Sequence, residues 1–199
     1  GKAAWARGEV RYALWRRPKD WPALVPLLYR LGAYREGIRA AWPTALAYPR
    51  AYREWVEGYA GKEGLDPDLL FALLHVESRF DPKAVSPTGA LGLAQFLRST
   101  WADVAGMLGE PPADPFDPES AIRYAARYLR WLMERCAAFS GVERLACAVT
   151  AYNGGIGYTL RGIAREGGLY AFLRFQERDE PREYLAKVLS AYAAYKAIP

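Results

Sequence analysis

Apolar positions recur along most of the chain at intervals of three and four residues, the spacing of one face of an α-helix. No segment alternates apolar and polar residues in the way that a half-buried strand requires. Two prolines and two glycines interrupt residues 81–98, so we predict a long loop with at most a small hairpin there. The pattern therefore predicts a mainly α fold, with helices across 22–60, 67–80, 98–108, 118–139, 142–153 and 182–198.

Helix starts can be placed from the residues that cap them. Asp66 suits an N-cap, Pro67 the first turn, and Asp68 complements the helix dipole. For the helix at 98–108, Ser99 or Thr100 is the expected cap.

Glu77 is the most unusual residue of the helix that starts at Asp66. It shares a helical face with Leu70, Leu73 and Leu74, at offsets of seven, four and three residues. Burial disfavours the charged form of a carboxyl group, so its pKa should rise, as a general acid requires. The alternative is a structural Glu paired with an arginine at the helix end. His75 points to a different face, and we expect it to be packed or half-exposed rather than catalytic.

Asn and Gln are rare in this chain, and Gln95 and Asn153 both lie close to glycines. Asn occurs once and Gln twice, a depletion typical of heat-adapted proteins, so a thermophilic source is expected. Gln95 lies beside Gly92, which permits positive φ or close backbone approach. Asn153 precedes two glycines, which suits a ligand contact or simply a helix end.

Charge and cysteine content exclude some functions. The net charge of +5 is spread along the chain without a basic run, which argues against a nucleic-acid binder and permits an anionic polymer as partner. One His and two Cys cannot build an ordinary N- and S-ligated metal site, so no metal and no cofactor are expected. No apolar run is long enough to span a membrane.

Three segments in order carry a family resemblance: ESRFDPKAVSPTGALGLAQF from residue 77, AYNGG from 151 and EPREYLAKVL from 180. Together they resemble the soluble lytic transglycosylases of bacterial peptidoglycan. The resemblance implies a lysozyme-like catalytic domain over residues 61–199. Residues 1–60 are then expected to be a helical linker or tail of an upstream α-superhelical domain. The chain departs from the family pattern at Ala94, where Met is usual, and at Leu185, where Val is usual.

The resemblance also implies a reaction. Glu77 would act as acid and then base on the bond between N-acetylmuramic acid and N-acetylglucosamine, giving a 1,6-anhydro product without water. It implies substrate-binding or supporting roles for Ser78, Ser86, Gln95, Tyr152, Asn153, Glu180 and Tyr184. For Glu180 a solvated surface position, and for Tyr184 simple packing, remain alternatives.

Competing functions depend on a second acid. Asp81 opens a turn and Asp103 falls in the next helix, and neither is an obvious nucleophile. A goose-type muramidase that uses water, and a wall-binding module without catalysis, remain alternatives to the transglycosylase.

Cys136 and Cys147 flank the turn FSGVER, so helices packed antiparallel could bring them together. A disulfide and two small buried thiols are both compatible with this spacing. The family implies a periplasmic or envelope protein and peptidoglycan strands as partner, and we expect a monomer. The chain starts at Gly1 without a leader, so we expect any export signal to be absent from it. Membrane or envelope-machine association is left open.

Overall fold

The computed structural model describes residues 2–175 and 180–198. Within them the chain forms helices, with a long loop between α5 and α6, and no strand beyond isolated bridges. The helices are α1 Lys2–Arg16, α2 Trp21–Arg30, α3 Tyr34–Ala41, α4 Arg53–Lys62, α5 Pro67–Ser78, α6 Arg98–Leu108, α7 Pro118–Arg135, α8 Gly141–Gly154, α9 Ile156–Glu166, α10 Leu169–Phe175 and α11 Glu180–Ala197. Two 3-10 turns, Pro18–Asp20 and Ala45–Ala47, complete the set. The mainly α prediction is confirmed.

Helix α5 lies at the centre of the molecule. Asp66 caps it by accepting a hydrogen bond from the Asp68 amide at 3.0 Å, and Pro67 occupies its first turn, as predicted. The helix packs extensively against α11 and also contacts α4 and α7. Because neighbours cover it on several sides, even its adjacent residues Leu70, Phe71, Leu73 and Leu74 are fully buried.

The predicted cap of α6 is wrong. The helix begins at Arg98, and Leu97 takes the cap position without a side-chain hydrogen bond. The Leu97 carbonyl accepts the first helical hydrogen bond, from the Trp101 amide at 2.9 Å. Ser99 and Thr100 therefore lie inside the first turn, where their hydroxyls cannot act as the N-cap.

The loop after α5 is held by backbone hydrogen bonds rather than by a regular hairpin. Single antiparallel bridges join Val85 to Leu91 and Leu91 to Phe96. Gly89 and Gly92 both have positive φ, of 84° and 66°, which the sequence permits at Gly92. Gly92 also packs so closely that a Cβ atom there would lie 2.0 Å from the carbonyl oxygen of Pro115.

The N-terminal helices pack on the same body as the rest. A small cluster of Val10, Leu28 and Ala33 joins α1, α2 and the start of α3. Val25 and Ile38 from the same region belong to the main core that contains α5. The division of the chain at residue 60 stays a prediction.

A disulfide joins the end of α7 to α8. The sulfur atoms of Cys136 and Cys147 are 2.04 Å apart and both residues are fully buried. The antiparallel packing of α7 and α8 across a short turn brings the pair together, and the structure adopts the bridged alternative.

Gly92→Ala should destabilise the protein by about 3 kcal/mol, since the new methyl group meets backbone and the left-handed conformation is strained. The matched control is Gly89→Ala, which has φ of +84° but open space around the added Cβ, so only about 1 kcal/mol of strain is expected. Urea unfolding of both variants measures the difference. Equal losses would contradict the close approach to Pro115.

Candidate active site

Glu77 lies near the C-terminal end of α5, on the side that faces α11. The helix up to this point is apolar because it is the centre of the core, and Leu70, Leu73 and Leu74 on the same face are fully buried. Glu77 itself is only partly accessible. The prediction that this carboxyl sits on an apolar face is confirmed.

The environment of Glu77 changes its protonation. Burial raises its pKa from 4.5 to about 8, and a hydrogen bond from Tyr184 opposes part of that rise. The Tyr184 hydroxyl donates to Glu77 Oε1 at 2.5 Å. Burial disfavours the carboxylate more than this one donor stabilises it, so the group is mostly protonated at neutral pH.

Tyr184 reaches Glu77 from α11, 107 residues farther along the chain. Its ring is buried, with 7% of its surface exposed. Burial raises the pKa of Tyr184 well above 10, with the negative form of Glu77 as a further cause. The phenol therefore stays protonated and acts as a hydrogen-bond donor to the carboxyl group.

Tyr152 forms the third part of this cluster, from the last turns of α8. It is buried, and its hydroxyl donates to the Ala94 carbonyl at 3.0 Å. Its ring lies 5.3 Å from that of Phe96, centroid to centroid. Burial raises the pKa of Tyr152 well above 10, and the negative charge of Glu77 raises it further. The two side chains are therefore close enough to interact electrostatically.

Gln95 and Ser86 shape the loop beside the cluster. Gln95 has a left-handed backbone, with φ of 50°, and its amide nitrogen donates to the carbonyls of Gly92 at 2.8 Å and Ala84 at 3.3 Å. Ser86 Oγ accepts from the Ala90 amide at 2.9 Å. Both side chains thus hold the loop in shape, while the sugar contacts expected of them remain predictions.

The other predicted site residues are Ser78, Asn153 and Glu180. Ser78 is buried, and its hydroxyl donates back along α5 to the Leu74 carbonyl at 3.3 Å. Asn153 is exposed in the last turn of α8, next to Tyr152. Glu180 is exposed at the first residue of α11, one turn before Tyr184. The structure therefore gathers Glu77, Tyr152 and Tyr184, and leaves Asn153 and Glu180 at the surface.

His75 points to a different face of α5 from Glu77 and packs between Tyr48 and Tyr195 of α11. Its ring stacks on Tyr48 with centroids 5.1 Å apart, and Nδ1 lies 3.2 Å from the Tyr195 hydroxyl. Burial lowers its pKa to about 4, so the ring is neutral at pH 7. This agrees with the expected packing role.

The direct bond between Tyr184 and Glu77 was not predicted. From the sequence, Tyr184 and Glu180 are both expected to bind or support the substrate, with simple packing as the alternative for Tyr184. The available indication was that a tyrosine four residues after Glu180 lies on the same helical face. No metal-binding group of three or more His, Cys, Asp or Glu residues occurs in the described ranges.

Comparison with known proteins identifies the family. A family model described as the transglycosylase SLT domain matches residues 54–172. The chain belongs to this family. Curated relatives include membrane-bound lytic murein transglycosylase C of Salmonella arizonae, 36% identical over 158 residues, which cover 68% of this chain and 43% of that protein. Membrane-bound lytic murein transglycosylase F 1 of Alkalilimnicola ehrlichii is 38% identical over 120 residues, 59% of this chain and 23% of that protein. The chain thus spans less than half the length of these relatives.

Solved structures of this family share the fold. An inactive glutamate-to-glutamine mutant of the lytic transglycosylase Slt from Pseudomonas aeruginosa matches 87% of this SLT-family chain, with a TM-score of 0.74 and 27% identity. The 70-kDa soluble lytic transglycosylase of Escherichia coli matches 96%, with a TM-score of 0.76 and 22% identity. These matches cover 29% and 35% of the two larger chains. They confirm the predicted mainly α, lysozyme-like fold.

Glu77→Gln should stabilise the protein more at high pH than at low pH. The folded state holds a proton on Glu77 up to about pH 8, whereas the unfolded chain releases it near pH 4.5, so stability falls as pH rises between these values. Gln has no proton to release, and its oxygen can still accept from Tyr184. We expect its advantage in free energy of unfolding to grow by about 4 kcal/mol from pH 4.5 to pH 8. Urea unfolding across this range measures it, and an advantage that does not change with pH would contradict the buried acid.

Proposed function

We propose that this SLT-family chain is the catalytic part of a peptidoglycan lytic transglycosylase. It cleaves the β-1,4 bond between N-acetylmuramic acid and N-acetylglucosamine and leaves 1,6-anhydro ends. The proposal rests on one observation about Glu77. Burial raises its pKa to about 8, and Tyr184 donates a hydrogen bond to its carboxyl group.

The first step needs an acid that is protonated at neutral pH. Glu77 gives its proton to the glycosidic oxygen, the bond from C1 of the muramic acid to that oxygen breaks, and the N-acetylglucosamine part leaves as an alcohol. The substrate's own acetamide group stabilises the positive charge that develops at C1. Tyr184 stabilises the carboxylate left on Glu77 through the hydrogen bond already present.

The second step reverses the role of the same residue. The Glu77 carboxylate takes the proton from the C6 hydroxyl of the same muramic acid, and that oxygen bonds to C1. A carboxylate whose conjugate acid has a pKa of about 8 is a stronger base than an ordinary one, so one group can serve both steps. Glu77 ends protonated, and no water is consumed.

The positions of the other acids support a single-acid scheme. Asp81 pairs with Arg35, at 3.3 Å between carboxylate and guanidinium. Asp103 is exposed on α6. The two causes that shift the pKa of Glu77 in the described structure are burial and Tyr184, and neither is a second carboxylate. This favours the transglycosylase over a muramidase that positions water with a second acid.

The remaining predicted site residues are assigned supporting roles in this reaction. Tyr152 and Asn153 at the end of α8 are assigned to the acetamide or the developing charge. Gln95 and Ser86 are assigned to sugar contacts through the loop they hold, and Ser78 to support of the helix end. Glu180 is assigned a supporting role in the first turn of α11, which leads to Tyr184.

The setting of the reaction follows from its substrate. Peptidoglycan lies in the cell envelope, so we place the protein there, as a monomer on glycan strands. Curated relatives are named membrane-bound. No helix of the described segments is long and apolar enough to cross a bilayer. Residues 61–199 are proposed as the catalytic unit and residues 1–60 as the helical segment that precedes it.

The products identify the reaction. Wild type incubated with purified sacculi should release anhydro-muropeptides, each one water lighter than the hydrolytic product, as measured by mass spectrometry. Glu77→Gln should slow release at least about hundredfold, because the acid and base are both lost.

Asp103→Asn is the matched control, an acid-to-amide change at an exposed position, and should release products at the wild-type rate. Reducing-end products from wild type would assign the protein to the muramidases. Loss of activity in Asp103→Asn would contradict the single-acid scheme.

A further inference from the structure

A second groove lies beside a different face of α5 from the one that carries Glu77. His75 and Arg79 are one turn apart on this side, whereas Glu77 points the other way toward Tyr184. Two adjoining cavities, of about 840 Å³ and about 700 Å³, lie between the N-terminal helices and α5, and α11 also lines the smaller one. Arg39 and Arg79 line both cavities, so the two cavities meet at these side chains, and we describe them together as one groove.

One half of the groove is strongly basic. Its cations are Arg7, Arg11, Arg35, Arg39, Arg79 and Lys83. Two acids face them. Glu36 is bonded to Arg11, and Asp81 lies 3.3 Å from Arg35.

The remaining four cations of the basic half are exposed, and none has an ion pair with a carboxylate in the described parts of the chain. Like charges collected around a cavity repel one another and favour an anionic ligand. Arg79 and Phe80 also have left-handed backbones, with φ of 52° and 57°, which non-glycine residues rarely adopt. This turn places Arg79 at the junction of the two cavities.

The other half of the groove is apolar. Ile38, Trp42, Tyr48 and Val76 line it, with Lys187 of α11 at its rim. Trp42 is 60% exposed, so its ring is available to a ligand. A ligand for the whole groove therefore carries both acidic and apolar groups.

We propose that this groove binds an acidic peptide, and that the peptide stem of peptidoglycan is its ligand. The guanidinium fork pairs with carboxylates in two parallel hydrogen bonds, and the aromatic half suits the methyl groups of alanine. A polyphosphate has no apolar part for Trp42 and Tyr48 to contact. The identification of the stem rests on the proposed function, because that function places the protein on peptidoglycan.

The position of the groove suggests how it is used. Helices α5 and α11 supply residues to both sites, Glu77 and Tyr184 on one side and Arg79 and Lys187 on the other. A stem held in the groove would keep the protein on peptidoglycan while a glycosidic bond is cut at Glu77.

Isothermal titration calorimetry with a sugar-free stem tetrapeptide, Ala–γ-Glu–diaminopimelate–Ala, tests the proposal. The peptide contains no glycosidic bond, so its binding is measured independently of cleavage. Arg39→Gln/Arg79→Gln should weaken binding at least about tenfold, because two charge-assisted hydrogen bonds are lost. Arg16→Gln/Arg30→Gln is the matched control: it removes the same charge from exposed sites outside the groove and should leave affinity unchanged.

Two further ligands test whether affinity depends on the carboxylates of the peptide or on negative charge alone. The same peptide with its carboxylates amidated should not bind, and inorganic pyrophosphate should compete only weakly. Equal loss in both double variants, undiminished binding of the amidated peptide, or tight pyrophosphate binding without peptide binding would each overturn the proposal. Anhydro-muropeptide release by the groove variant shows separately that the catalytic function stands.

Discussion

The burial of one carboxyl group against α11 is the constraint on which the candidate active site depends. Glu77 extends the apolar face of the central helix, where a carboxylate is unfavourable and a neutral acid is tolerated. Tyr184 provides a donor at 2.5 Å, so the ionised form is not excluded altogether. The balance of these two effects gives a group that can both release and accept a proton near neutral pH.

The remaining structure keeps that balance in place. Packing of α5 against α11 sets the distance between Glu77 and Tyr184. The glycine-rich loop closes against Pro115 through Gly92 and presents the Ala94 carbonyl to Tyr152. Because a backbone carbonyl, not a side chain, accepts from Tyr152, the presence of Ala rather than Met at position 94 leaves this hydrogen bond intact.

Local chemistry explains what could be predicted from the sequence. The cap at Asp66, the apolar face beneath Glu77 and the positive φ of Gly92 each depend on a few neighbouring residues, so spacing and residue type suffice. The hydrogen bond from Tyr184 joins residues 107 positions apart and depends on how two helices pack. The prediction of the α6 cap was wrong because the Trp101 amide donates to the Leu97 carbonyl. This hydrogen bond starts the helix before Ser99 and Thr100. The basic groove draws on separate segments between Arg7 and Lys83, and no single stretch of sequence contains it.

Direct titration of Glu77 tests the central claim. In protein labelled with ¹³C at glutamate carboxyl groups, the NMR resonance that is missing in Glu77→Gln belongs to Glu77. We predict that it titrates at about pH 8, and that Tyr184→Phe moves its pKa higher still, since the lost hydrogen bond lowers it. A pKa near the ordinary value of 4.5, or one that Tyr184→Phe leaves unchanged, would contradict a buried, protonated Glu77.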